Sequence, residues 1–174
     1  MSTSWLGLDI GSCGLGFAEV QQELPMKFHL KRTSFIQLRR GEVEERLSKA
    51  YTWLREILIT CDPAAALYIE EPFVGKSIRS ALLLGTVKGL VAGVLLSLDR
   101  KFPISLPAVQ IKKVLTGNAH ASKEQVAAVL HHYLIPPYSL PANEHATDAV
   151  AIAIAACLIQ SSPITRKLTS RAER

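Results

Sequence analysis

The segment 146–160 is apolar on almost every side when it is drawn as a helix, and Asp148 is its only charged residue. A helix that is hydrophobic all round is buried, either in a protein core or in a membrane. A membrane-spanning helix needs about 20 predominantly apolar residues in a row, and no run in this chain reaches that length. We therefore predict that this segment is the central buried helix of a soluble domain.

Strand and helix patterns alternate along the rest of the chain. Short apolar runs bounded by turn residues predict strands, and apolar residues at spacings of three and four predict helices. The predicted strands are 5–10, 15–20, 28–38, 66–70 and 104–106, and the predicted helices are 42–60, 77–96, 108–115 and 122–134. This order predicts an α/β fold in which a mixed five-stranded sheet is flanked by helices. The first three strands are expected to be antiparallel neighbours.

The size and charge of the chain limit its organisation. A length of 174 residues suits a single core, which we assign to residues 1–160. Residues 161–174 are basic without apolar periodicity and are expected to form a disordered tail.

Twenty Lys and Arg against 15 Asp and Glu give a net charge of +5, which suits a polyanionic partner. Cys13, Cys61 and Cys157 are too far apart for a zinc or redox motif, so a reducing cytoplasm is expected.

Three carboxylates occur where the local sequence is otherwise apolar. Asp9 and Glu70 each end an apolar strand, and Asp148 lies in the predicted buried helix, one turn after His145. A buried carboxylate is costly unless something compensates its charge, and a metal ion provides the strongest compensation. The combination of these side chains therefore predicts a metal site.

Each residue taken alone also has an ordinary structural explanation. Asp9 could be a turn former. Strand alternation sends Glu70 and Glu71 to opposite faces of a sheet, so at least one of them is expected to be solvated. His145 could cap the helix, and Glu144 competes with Asp148 for the ligand role because it lies one turn before it.

The segments that carry these residues resemble, in order, the catalytic segments of the RuvC family of Holliday-junction resolvases. The similar stretches are 6–12 (LGLDIGS), 69–76 (IEEPFVGK) with 80–85 (SALLLG), and 145–153 (HATDAVAIA). The stretches 109–114 (VQIKKV) and 122–126 (SKEQV) resemble the DNA-binding segment of the family. Ile10 and Glu71 depart from the family pattern, which usually has Pro at the first position and Gln or Thr at the second. The position of His145 is Asp in some members and His in others.

The resemblance implies a ribonuclease H-like fold and a magnesium-dependent endodeoxyribonuclease. Two Mg²⁺ ions, with Mn²⁺ as a substitute, would be bridged by Asp9 and completed by Glu70 and Asp148, with His145 as the fourth ligand. Phe73 would stack on a base of an opened junction. The phosphates would be contacted by three lysines of the family pattern, namely Lys76, Lys112 and Lys123.

The resemblance also implies partners. The substrate would be four-way junction DNA, cut by paired symmetric nicks, and a branch-migration helicase complex would be a further partner. RuvC proteins dimerise through the helix that here carries Gly85, Gly89 and Gly93, so a homodimer is expected. The same glycine stripe could instead pack on the sheet of its own chain. A related nuclease acting on flaps or RNA/DNA hybrids, and a non-catalytic junction-binding module, remain alternatives. An actin-type ATPase fits poorly, because that class repeats the hairpin motif and this chain has one.

Overall fold

A mixed five-stranded sheet forms the centre of the computed structural model, which describes residues 3–11, 13–71 and 78–161. Its strands are β1 (Ser4–Ile10), β2 (Gly14–Leu24), β3 (Lys27–Gln37), β4 (Leu67–Glu70) and β5 (Ile104–Leu106). The order across the sheet is β3-β2-β1-β4-β5. The pairs β1–β2 and β2–β3 are antiparallel, whereas β4 runs parallel to β1 and to β5. The predicted mixed sheet is confirmed, as are its three antiparallel strands.

Five helices cover the two faces of this sheet. They are α1 (Val43–Ile59), α2 (Ile78–Leu96), α3 (Ala108–Thr116), α4 (Lys123–Tyr133) and α5 (Glu144–Ser161). Side chains of α1 and α2 pack with alternate residues of β1 and β4 on one face. Helices α3, α4 and α5 pack on the opposite face. The predicted capping box at the start of α4 is confirmed, since Ser122 and Gln125 cap each other reciprocally.

The hairpin of β2 and β3 is longer than the sequence predicts. The prediction ended the second strand at residue 20, whereas β2 continues to Leu24 and β3 begins at Lys27. The added part of β2 is polar and mostly exposed, so it leaves little hydrophobic signal. Backbone pairing between the two strands holds this extension together, and the sequence does not display that pairing.

Helix α5 is buried on nearly all sides, as predicted, and it lies directly against the backbone of the sheet. The close approach depends on glycine at two positions. A Cβ atom on Gly7 would collide with the backbone of Ala149 and Ala153, and a Cβ atom on Gly16 would collide with the backbone of His145. Because no side chain separates the helix from the sheet at Gly7 and Gly16, the polar residues at the start of α5 are held close to the end of β1.

Helix α2 has one face that its own chain does not cover. Val87, Val91, Val94 and Leu95 are buried. On the opposite side, a Cβ atom added at Gly85, Gly89 or Gly93 would meet no described atom within 4 Å. The possibility that the glycine stripe packs on its own sheet is therefore wrong. Among the described residues, no helix is both long and apolar enough to cross a membrane.

Candidate active site

Asp9 and Glu70 lie side by side at the carboxyl ends of two parallel strands. Leu8 of β1 is opposite Ile69 of β4, so the next residue of each strand is a carboxylate. Leu8 and Ile69 point into the core shared with α1 and α2. Strand alternation therefore directs Asp9 and Glu70 to the other face, where α5 lies.

The first turn of α5 brings two more candidate residues to the same place. The imidazole of His145 donates a hydrogen bond through Nδ1 to Oδ2 of Asp9, at 2.6 Å. The ring lies over the turn between β1 and β2, where a Cβ atom on Gly11 would come within 2.5 Å of it and one on Gly14 within 3.0 Å. Glycine at these two positions makes the space that His145 occupies.

Two lysines complete the surroundings of the carboxylates. Nζ of Lys123, in the first turn of α4, forms a salt bridge of 2.7 Å with Oδ2 of Asp148. Lys112 of α3 lines the same cavity, which has a volume of about 170 Å³. Five of the eight predicted site residues therefore line one cavity, namely Asp9, Glu70, Lys112, Lys123 and Asp148. A sixth, His145, contacts Asp9 at the edge of this cavity.

The remaining wall of the cavity is apolar, and sequence reasoning did not single it out. Its side chains come from three helices: Ala108 and Ile111 of α3, Val126 of α4, and Ala151 and Ile152 of α5. Apolar walls remove water from charged groups and disfavour their ionised form. The wall is encoded as ordinary core-facing positions of three helices, so only the folded arrangement reveals its second role.

The pKa values of the ionisable groups reflect this environment. Burial raises the pKa of the Glu70 carboxyl, and the nearby charges of Asp9 and Asp148 raise it further. Burial also raises the pKa of Asp148, although Lys123 opposes the effect. The hydrogen bond to Asp9 raises the pKa of His145, and the hydrogen bond to Asp148 raises that of Lys123. The three carboxylates therefore destabilise one another unless positive charge is nearby.

The chemistry of the donor groups fits a hard divalent cation. Carboxylate oxygens are the ligands that Mg²⁺ prefers, and an added imidazole also suits Mn²⁺. As the side chains lie, no three His, Cys, Asp or Glu residues in the described ranges converge to hold one ion. The contacts of Asp9 with His145 and of Asp148 with Lys123 occupy carboxylate oxygens that a metal would take. Lys123, and His145 when it is protonated, neutralise the carboxylates as a bound cation would do.

The two competing carboxylates are directed elsewhere. Glu71 and Glu144 are exposed, and neither lines the cavity that holds Asp9, Glu70 and Asp148. Phe73 and Lys76, which the family pattern also assigned to the site, lie outside the described residues. So do residues 162–174 of the predicted tail, whereas Ser161, its first residue, ends α5.

Comparison with known proteins decides the family. The family model described as "Crossover junction endodeoxyribonuclease RuvC" matches residues 5–156. The chain belongs to the RuvC family. It is 32% identical to the RuvC protein of Geotalea uraniireducens over 94% of this chain and 92% of that protein. It is 34% identical to the Pseudomonas fluorescens RuvC protein, over 97% of this chain and 94% of the relative.

Solved structures agree with this RuvC assignment. The fold is similar to that of the T. thermophilus RuvC protein in complex with a Holliday junction substrate, with a TM-score of 0.80 and 25% identity. That match covers 90% of this chain and 93% of the other. The yeast mitochondrial Holliday junction resolvase Ydc2 has a similar fold at 12% identity, with a TM-score of 0.63. The predicted ribonuclease H-like α/β fold is thereby confirmed.

Proposed function

We propose that this protein is a structure-selective DNA endonuclease that resolves four-way junctions by hydrolysing phosphodiester bonds with divalent metal ions. The observation that carries the proposal is the cavity in which Asp9, Glu70 and Asp148, from three separate elements, lie together with two lysines. Membership of the RuvC family supports junction DNA as the substrate, because the relatives are named as crossover junction endodeoxyribonucleases.

Asp9, Glu70, Asp148 and His145 would hold the two Mg²⁺ ions. When bound, such ions supply a nucleophilic water and stabilise the attacking and leaving oxygens of the phosphate. The apolar wall made by Ile111, Val126 and Ile152 limits the water around these charges. Charges in a partly dry site interact more strongly than in bulk water, which favours tight binding of the cations.

Lys112 and Lys123 would bind phosphates of the DNA strand beside the cut. Both line the cavity, and Lys123 lies on an exposed helix start with 66% of its side chain accessible. With Asp148 serving as a metal ligand, the ammonium group of Lys123 would be free to bind a phosphate oxygen. Each phosphate contact of this kind contributes to affinity and to its dependence on salt.

The active unit would be a homodimer that makes paired nicks. An exposed seam along α2 repeats at intervals of three and four residues, the spacing of helices that pack side by side. It consists of bulky residues at both ends and glycines between them, namely Ile78, Leu82, Gly85, Gly89, Gly93 and Leu96. A second copy packed on this seam about a two-fold axis would place two Asp9-centred sites in a fixed relation. Two sites related in this way match the two cuts that a four-way junction requires.

The test is a cleavage assay with Mg²⁺ and labelled DNA of four kinds: a four-way junction, a flap, an RNA/DNA hybrid and plain duplex. We expect the junction to be cut at paired, symmetric positions. Asp9→Asn should bind the junction without cutting it, because the metal ligands serve the chemistry and the basic surface serves affinity. If flaps or RNA/DNA hybrids are cut as readily as the junction, the protein is a related nuclease of the same fold with a different substrate. If the wild type binds junctions but does not cut them in either Mg²⁺ or Mn²⁺, the protein is a non-catalytic junction-binding module.

A further inference from the structure

A single row of residues crosses the sheet from the candidate active site to its outer edge. Asp9 of β1 is opposite Gly16 of β2, and Gly16 is opposite Phe35 of β3. Residues directly opposite one another in antiparallel strands point to the same face. Since Gly16 faces α5, the ring of Phe35 lies on the active-site face as well. Neighbouring strands are about 4.8 Å apart, which puts Phe35 roughly 10 Å from Asp9 along this row.

Phe35 is unusually accessible for an aromatic residue in this position. It is 52% exposed, because α5 begins at Glu144 and does not extend over the end of β3. The ring lines an open cavity of about 280 Å³ together with Arg39, Asn143, Glu144 and His145. His145 also contacts Asp9, so this cavity adjoins the catalytic carboxylates directly.

A second cavity continues from the first and is strongly basic. The two share Gln37 and Arg39, and the second has a volume of about 350 Å³. Four of its lining residues are cationic, with no carboxylate among the lining: Arg39, Arg40, Arg46 and Lys49. Within residues 3–11, 13–71 and 78–161, no ion pair involves the exposed side chains of Arg39, Arg40 or Lys49. We refer to the two cavities together as the β3 groove.

Acidic residues border the β3 groove without closing it. Glu144 is the carboxylate in the first cavity. At the start of α1, the Glu45 carboxylate lies over the turn at Gly41, and Glu42 and Glu44 are exposed. None of these glutamates lines the second cavity, whose lining is positive and therefore favours an anionic occupant.

An exposed aromatic ring followed by a line of cations is the arrangement that binds single-stranded nucleic acid. Rings stack on unpaired bases, and Lys and Arg follow the phosphates. A fully paired duplex presents no free base face to Phe35. A distance of roughly 10 Å corresponds to at most about three nucleotides, since even stacked duplex DNA rises about 3.4 Å per nucleotide and an unpaired strand is more extended. A strand that is cut at the carboxylates could therefore reach Phe35 with a base that is unpaired at the junction crossover.

We propose that the β3 groove holds an unpaired DNA strand next to the catalytic site, with Phe35 stacking on a base and Arg39, Arg40 and Lys49 binding phosphates. This inference rests on the proposed nuclease function. Lys112 and Lys123 hold the strand on one side of the carboxylates, and the β3 groove holds it on the other.

The first test uses four-way junctions that carry the fluorescent base 2-aminopurine at one to four nucleotides from the cut. Binding to the wild-type dimer should quench the probe at one of these positions. Phe35→Ala and Phe35→Leu should restore its fluorescence and slow single-turnover cutting about 5- to 100-fold, the range expected for losing one stacked base. Phe35→Trp should keep both signals. Phe102→Ala is the matched control, because Phe102 is 63% exposed and precedes β5, at the sheet end opposite the site.

The second test addresses the cations. Arg39→Ala, Arg40→Ala and Lys49→Ala should each reduce the slope of log affinity against log salt by about 1, as expected for one lost phosphate contact. Lys101→Ala, an exposed lysine next to Phe102, should leave the slope unchanged.

The outcomes separate this inference from the proposed function. Wild-type protein that does not cut junctions would overturn the proposed function. If the wild type cuts junctions, and Phe35→Leu still quenches the probe and cuts at the rate of Phe102→Ala, the inference about the β3 groove is overturned. The proposed nuclease function would then still stand. Phe35→Leu retains an apolar side chain at a half-exposed position, so this comparison does not depend on whether Phe35→Ala folds.

Discussion

Helices α2 and α5 have similar apolar sequences but opposite surroundings. Helix α5 is buried almost completely, and glycines on the strands beneath it let its backbone touch the sheet. Helix α2 carries its glycines on its own exposed side, where they meet open space. An apolar helix therefore predicts burial without specifying whether its own chain provides the cover. In this protein the helix covered by its own chain supports the candidate active-site cavity, and the other carries the exposed face on which we propose that a second copy packs.

The largest difference between the two helices is expected in catalysis. Asp148→Asn on α5 should reduce the rate of junction cutting by about 10³-fold or more, because a lost metal ligand removes several kcal/mol of charge stabilisation, here taken as about 4 kcal/mol. Junction affinity should remain close to that of the wild type. Single-turnover cleavage and gel-shift titration measure the two quantities.

Glu144→Gln is the control for Asp148→Asn, since Glu144 lies one turn earlier on α5 but lines the first cavity of the β3 groove and not the cavity that holds Asp9, Glu70 and Asp148. We expect it to cut at a rate near that of the wild type. An inactive Glu144→Gln beside an active Asp148→Asn would transfer the ligand role to Glu144.

The second prediction compares an added methyl group beside each helix. Gly7→Ala should destabilise the fold by about 1 to 3 kcal/mol, because the new methyl collides with backbone atoms of α5. Gly89→Ala should stabilise the isolated monomer by up to about 1 kcal/mol, since alanine favours helix and the space beside Gly89 is open. Urea unfolding at low protein concentration gives both values. Equal destabilisation by both variants would mean that the exposed face of α2 is packed within the monomer.

The third prediction concerns assembly. Gly89→Leu should keep the monomer folded but push two copies of α2 apart. Light scattering should then report a dimer for the wild type and a monomer for this variant. Cuts in a cruciform plasmid should then become single and unpaired. His132→Leu adds a leucine at an exposed position of α4, on the other side of the sheet, and should leave the dimer intact. A Gly89→Leu protein that remains dimeric would place the interface elsewhere.

The smallest expected effect is a dependence of folding stability on pH in metal-free protein. The folded-state pKa of Glu70 is raised above its unfolded value, chiefly by burial. Its contribution to stability is therefore fully present below the ordinary pKa of an unfolded glutamate and is lost as the pH rises through the raised pKa of the folded state. In Glu70→Gln, folding stability should decrease less between acidic and neutral pH than it does in the wild type. In Gly89→Ala, on α2, stability should depend on pH as in the wild type. Thermal unfolding across this pH range in a chelating buffer measures the difference. A Glu70→Gln profile parallel to that of the wild type would contradict it.

Much of this architecture could be predicted because local sequence patterns determine the helices and strands. Strand alternation and the capping box at Ser122 identified the elements, and the apolar character of 146–160 identified the central helix. The carboxylates were conspicuous because each interrupts an apolar segment. Glu71 and Glu144 could not be separated from Glu70 and Asp148 by sequence, since the choice depends on which face each element turns toward the cavity.

Other features depend on contacts between distant segments and leave no local signal. The pairing of Lys123 with Asp148, and of His145 with Asp9, appears only once α4, α5 and β1 are brought together. Arg100 is buried because its guanidinium donates hydrogen bonds to carbonyl oxygens after α1, including those of Cys61 and Ala65. Phe35 looked like any strand residue, because its exposure depends on where α5 begins.

The position of α5 in the chain has a consequence for synthesis in the cell. The first residue of this helix is Glu144, so a ribosome must release more than 140 residues before Asp148 can reach Asp9 and Glu70. Until then the sheet lacks the helix that covers β1 and β2, and the two strand-end carboxylates have no third partner. Under the proposed function, a nascent chain that lacks α5 would be unable to cut DNA.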